Sequence, residues 1–86
     1  MNTLLLVAEG ILDLAAKDSA EENTSSVEAV QRYADACDVA LTKGEAEQVM
    51  SACKAWLAGT ERGELNGTND YYYTVKKPLL GEEATI

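Results

Sequence analysis

The stretch from Ser25 to Gly59 constrains the fold most, because two helical periods with their own start signals follow each other almost without a gap. Ser25-Ser26-Val27-Glu28 fits a capping box, in which the Ser25 hydroxyl accepts from a backbone N–H three residues on and Glu28 reaches back. Val27, Val30, Ala34, Cys37 and Leu41 then recur at spacings of three and four, which places them on one helical face. Glu28, Gln31, Arg32, Asp35 and Asp38 fall on the other. Gly44, lacking a Cβ, suits a left-handed stop. Thr42-Lys43-Gly44-Glu45 repeats the capping-box spacing, so a second helix is expected at once. Its apolar face is Ala46, Val49, Met50, Cys53, Trp56 and Leu57, and Gly59 is expected to close it.

A turn this short predicts an antiparallel helical hairpin over about 25–58. If the turn centres on Lys43, Val30 lies level with Trp56 and Tyr33 with Cys53. Trp56 is then the largest piece of the core, in a chain of 86 residues with no Phe and one Trp. Such a length fits one small domain with a thin core, for which homodimerisation is a natural expectation.

Before the hairpin, Thr3 to Lys17 reads as a helix that is apolar nearly all round. Only Glu9, Asp13 and Lys17 break its surface. A helix like this wants partners on more than one side, the hairpin on one and a second protomer or the C-terminal segment on the other, and Leu5 and Leu12 are expected to be buried in a homodimer or a hetero-complex. Gly10 marks a close helix approach. Asp18 to Thr24 is polar and acidic, a loop or a short turn capped by Ser19. After Gly59 the character changes. Residues 60–70 are loop-like, and Tyr71-Tyr72-Tyr73-Thr74-Val75-Lys76 is rich in strand formers. The fold class expected is therefore mainly α, a three-helix domain with a short C-terminal β element or extended tail. In the β reading Tyr71, Tyr73 and Val75 point inward, Pro78 ends the strand, Leu79 and Leu80 pack back, and 81–86 is a frayed tail.

Fifteen acidic and seven basic residues give a net charge of −8. Ten of the acids but only Lys17, Arg32 and Lys43 lie in residues 1–47, so the charge is concentrated on the first two helices and their linker. Binding to nucleic acid or to an anionic membrane needs a basic surface and is not expected. A helix-turn-helix reader is argued against by Glu45 and Glu47, which stand where base-reading residues belong. No run approaches the length of a membrane span. The chain is expected in the cytoplasm, with Cys37 and Cys53 as two buried thiols.

There is no histidine. That removes Ser–His and Cys–His nucleophile pairs and the commonest general base. Two cysteines without a CxxC do not make a tetrahedral metal site. No cofactor, no metal and no enzymatic activity are expected. The functional expectation is a non-enzymatic acidic protein-binding module, an inhibitor that covers a basic surface of a partner protein. In size and charge alone it is similar to small phage and mobile-element inhibitors of host defence, including anti-restriction and anti-CRISPR proteins. Glu28, Asp35, Asp38 and Glu45, with Glu21 and Glu22 in the preceding loop, are the candidate contact residues. Tyr71, Tyr72 and Tyr73, next to Lys76 and Lys77, are a second candidate surface, since Tyr offers large amphipathic area at low entropy cost. The alternative is a chaperone-like or structural adaptor that docks through the apolar first helix.

Overall fold

The computed structural model describes residues 3–14 and 20–80, and among them the secondary structure is helical throughout. The elements are α1 (Thr3–Asp13), α2 (Ala20–Asn23), α3 (Val27–Ala36), α4 (Lys43–Glu61) and α5 (Gly67–Tyr71). A π-helical turn (Tyr72–Lys76) and α6 (Lys77–Leu80) continue directly from α5. The mainly α class and the antiparallel α3/α4 hairpin stand as read from the sequence. The expected end of the first helix at Lys17, the Ser19 cap and the tail 81–86 fall outside the described residues.

α4 is the central element and packs against α1, α3 and the C-terminal segment. Its start follows the capping-box reading: the Glu45 N–H donates to Thr42 Oγ1 (3.1 Å) and the Thr42 N–H donates to Glu45 Oε1 (2.9 Å). The α3 start shifts by one residue. Ser26, not Ser25, is the N-cap and accepts from the Ala29 N–H, while the Ser25 hydroxyl donates to the Glu22 carbonyl of α2. Two adjacent serines satisfy the same preference, and the short α2 decides between them.

The stop of α3 differs from the glycine reading. The chain turns at Asp38, which takes φ 61°, and Gly44 lies inside the first turn of α4. Val39 N–H donates to Ala34 O (2.9 Å) and Asp38 N–H to Asp35 O (3.0 Å), which is the Schellman pattern with aspartate at the left-handed position. α4 ends in the same pattern with Gly63 at φ 75°. Gly59 does not close α4. It is buried two residues before the end, and the Leu65 side chain folds over it so closely that a Cβ would lie 2.5 Å from Leu65 Cγ.

The core joins Val7, Ala8 and Ile11 of α1, Val30 and Ala34 of α3, Ala46, Val49, Ala52 and Cys53 of α4, and Val75 and Leu79 of the C-terminal segment. Its largest fully buried side chains are Ile11, Val7, Val30 and Val49. Trp56 is only half-buried, so it is not the centre of the core. It stands edge-on to Tyr71, with centroids 5.1 Å apart.

The expected C-terminal β element is helical. Asn66 caps α5, and its N–H donates to Asp70 Oδ2 (2.9 Å) instead of opening a hairpin. Tyr71, Val75 and Leu79 recur every four residues, so one helical side supplies all three to the rest of the domain. Packing on α1 and α4 overrides the strand preference of the Tyr-Tyr-Tyr-Thr-Val run. The π-helical turn lies just before Pro78, whose missing N–H and bulky ring would otherwise meet the Thr74 carbonyl. Leu79 packs back as expected.

Candidate functional site

The acidic candidates separate into two groups. Glu28 sits exposed in the first turn of α3 and Asp35 exposed in its last. Seven residues apart, they share one side of the helix, about 10 Å from each other along its axis. Asp38 follows immediately, exposed, beyond the helix end rather than on its outer face. Glu22 is exposed on α2. Glu45 does not belong with them, because its carboxylate is held by the Thr42 N–H.

Among the described residues the one ion pair is Arg62–Glu64 (2.8 Å), far along the chain. Glu28, Asp35 and Asp38 therefore carry charge with no cation holding it, although Arg32 stands on the same helix. The α3 end is an unusual place for carboxylates. Its last turn contains no basic residue, and the helix dipole presents its negative pole there.

The tyrosines are placed by helical rather than strand geometry. Tyr71 is half-buried, and burial, then the nearby Glu9, Cys53 and Asp13, push its phenol up to about 12. Tyr73 is 64% exposed. Its ring meets Tyr72 edge-on at 5.1 Å. Lys76 Nζ stands 5.8 Å from the Tyr71 centroid and Lys77 Nζ 5.4 Å from that of Tyr73. The π-helical turn permits the first pair, which spans five residues.

Of the thiols, Cys53 is buried, as expected, and Cys37 is exposed at the C-cap of α3, contrary to expectation. The Cys53 thiol donates weakly to Ala8 O (3.8 Å) across the α1/α4 contact, and burial pushes its pKa up to about 12. In α1, Leu5 and Leu12 are half-buried against the core. Leu6 is 45% exposed, with Glu9 and Asp13 beside it at helical spacing.

A shallow cleft of about 620 Å³ runs between α4 and the C-terminal segment, lined in part by Gly44, Ser51, Ala55 and Thr74, with Glu47 as the one ionisable side chain among the described residues. No group of three His, Cys, Asp or Glu among the described residues is placed to hold a metal ion. No helix among them is long and apolar enough to cross a membrane.

Comparison of the chain with protein families, with curated proteins and with solved structures finds no match. The functional reading therefore rests on the surface itself.

Proposed function

We propose that the chain is a non-enzymatic protein-binding module whose acidic α3 edge covers a basic, nucleic-acid-binding surface of a partner protein. This is the mode of action of an anti-defence inhibitor of the phage or mobile-element kind, anti-restriction or anti-CRISPR. The observation that supports it is the pair Asp35 and Asp38 at the C-terminal end of α3, both exposed and neither ion-paired among the described residues. Stability alone would favour other residues at both positions. A negative side chain at this pole costs about 0.3–1 kcal/mol against a positive one. At φ 61° aspartate is tolerated, but glycine would meet no Cβ penalty at all. Residues that give up a little local stability with no local gain suit a role outside the fold. A basic partner surface supplies the missing cations. Free Cys37 and Cys53 suit the reducing conditions of a cytoplasm.

The test is a pair of baits used on lysate of the native host, the parent chain and an Asp35→Lys, Asp38→Gly variant, with captured proteins identified by mass spectrometry. A protein with its own basic nucleic-acid site should be retained by the parent, released at high salt and missing from the variant. Retention of the same protein by both baits contradicts the reading.

A second reading, a homodimer or adaptor docking through α1, draws support from the exposure of Leu6. Sedimentation velocity should then show a mass that rises with concentration and returns to that of a monomer in Leu6→Glu. A monomer at every concentration removes the homodimer.

A further inference from the structure

The exposed shoulder of α4 carries its charges in a self-complementary order. At 3.6 residues per turn, Lys43, Glu47, Lys54 and Glu61 fall within about 40° of one another around the helix. All four are exposed, and none is ion-paired among the described residues. From the N-terminus their signs run plus, minus, plus, minus, and from the C-terminus the reverse. The midpoint of Lys43 and Glu61 and that of Glu47 and Lys54 lie within about 2 Å along the axis, next to Ser51. A second α4 laid antiparallel across the first, with the two-fold axis near Ser51, therefore sets Glu47 against Lys54 and Lys43 against Glu61. Symmetry makes each pair twice.

The shape of the shoulder fits the same occupant. Gly44, Ser51 and Ala55 stand exposed beside the charges, and none has a side chain long enough to keep a second helix beyond the usual spacing of about 8–10 Å. On the other side a cleft of about 300 Å³ opens between Ser25 and the C-terminal half of α4, lined by Lys54, Leu57, Ala58 and Glu61. The antiparallel register brings the first turn of the second α4 to this cleft. There the aliphatic stem of Lys43 covers Leu57 while its ammonium group meets Glu61. Glu22, exposed one turn before Ser25, adds a carboxylate on the side where Lys43 arrives. Arg62 and Glu64 pair with each other and add no net charge. Lys43, Glu47, Lys54 and Glu61 also sum to zero. Charges beyond about 8 Å are screened at physiological ionic strength, so two copies can meet here although each is acidic overall.

We propose that the exposed shoulder of α4 is a docking surface for a second copy of this chain, an antiparallel α4–α4 contact centred near Ser51. Its register is set by Glu47 with Lys54 and by Lys43 with Glu61 of the opposite copy. The contact uses neither Leu6 of α1 nor Asp35 and Asp38 of the α3 edge.

Sedimentation equilibrium of the full chain tests it. The parent should self-associate with a Kd below about 1 mM, and Glu47→Lys and Lys54→Glu should each weaken this at least about tenfold. Mixed in equal amounts, the two variants should recover the parent affinity, since opposite signs then face each other at both symmetric places. That recovery also shows that neither variant is merely misfolded, and both positions are exposed. Leu6→Glu should leave the association unchanged. A parent that stays monomeric overturns the proposal, as do single variants that associate like the parent or a mixture that stays monomeric. Loss of association in Leu6→Glu would place the dimer on α1 and overturn it too. None of these outcomes touches Asp35 or Asp38, so the α3-edge reading stands or falls separately.

Discussion

The phenol of Tyr33 lies directly over Gly10, so that a Cβ on Gly10 would fall 2.5 Å from Tyr33 Oη and 3.3 Å from two ring carbons. α3 therefore approaches α1 at the one position of α1 that has no side chain. Burial, followed by the neighbouring Cys37 thiol, raises the Tyr33 pKa in this setting. Gly10→Ala gains up to about 1 kcal/mol of helix propensity, but overpacking costs about 1–3 kcal/mol. The expected net change is a destabilisation of about 1 kcal/mol in urea unfolding. Adding Tyr33→Phe removes the closest atom and should restore most of the loss. A more stable Gly10→Ala single variant would show that Tyr33 moves aside freely.

Trp56 tests the C-terminal packing. A fully buried Trp→Ala substitution costs about 3–5 kcal/mol. Trp56 is half-buried, and Tyr71 supplies its aromatic partner. Trp56→Ala should cost about 2 kcal/mol, and Tyr71→Ala should cost less in the Trp56→Ala background than in the parent, because the two share one contact. Strict additivity in that double-mutant cycle would mean the rings do not interact.

The two thiols should separate chemically. Cys37 is exposed and should react with a thiol reagent in the native state, whereas Cys53 should react only on unfolding. The same burial gives a pH dependence. Cys53 and Tyr71 are both pushed up to about 12 in the folded chain, while an unfolded Cys ionises near about 8.5 and a Tyr near about 10. The unfolded chain loses these protons first, so their contribution to stability is intact below about pH 8.5 and declines as pH rises toward about 12. Urea midpoints measured from pH 7 to 11 should fall across this range, and Cys53→Ser should flatten the first part of the fall.

Much of the fold was legible because several local signals agreed. At Thr42 and Glu45 capping chemistry, helical period and turn length all pointed to one helix start, and that start is found. Gly10 was readable as a close approach because nothing else explains a glycine in an apolar helix. The misread places are those where two residues satisfy one rule. Ser25 and Ser26 both suit an N-cap. Gly44 and Asp38 both tolerate a left-handed turn, and the Schellman bonds to Ala34 and Asp35 choose Asp38. Tyr71 to Val75 fits alternation as well as the 71/75/79 helical spacing, and only burial of Val75 and Leu79 decides. At the candidate site the exposure of Glu28 and Asp35 followed from helical period, and the capping role of Glu45 was also visible. The backbone state of Asp38, which gives the site its physical argument, was not.

The central claim is that the α3 edge keeps Asp35 and Asp38 for a partner at some cost to the fold, and one variant separates the two roles. Asp35→Lys complements the helix dipole, and Asp38→Gly relieves the left-handed position, so together they should raise stability by about 1 kcal/mol or more. The decisive measurement is displacement of labelled nucleic acid from the purified partner by parent and variant at equal concentration. The expected result is that the parent displaces it and the better-folded variant needs at least about tenfold more, a difference of about 1.4 kcal/mol. Equal displacement by the two chains would contradict the claim and leave the acidic edge as no more than a solubilising surface.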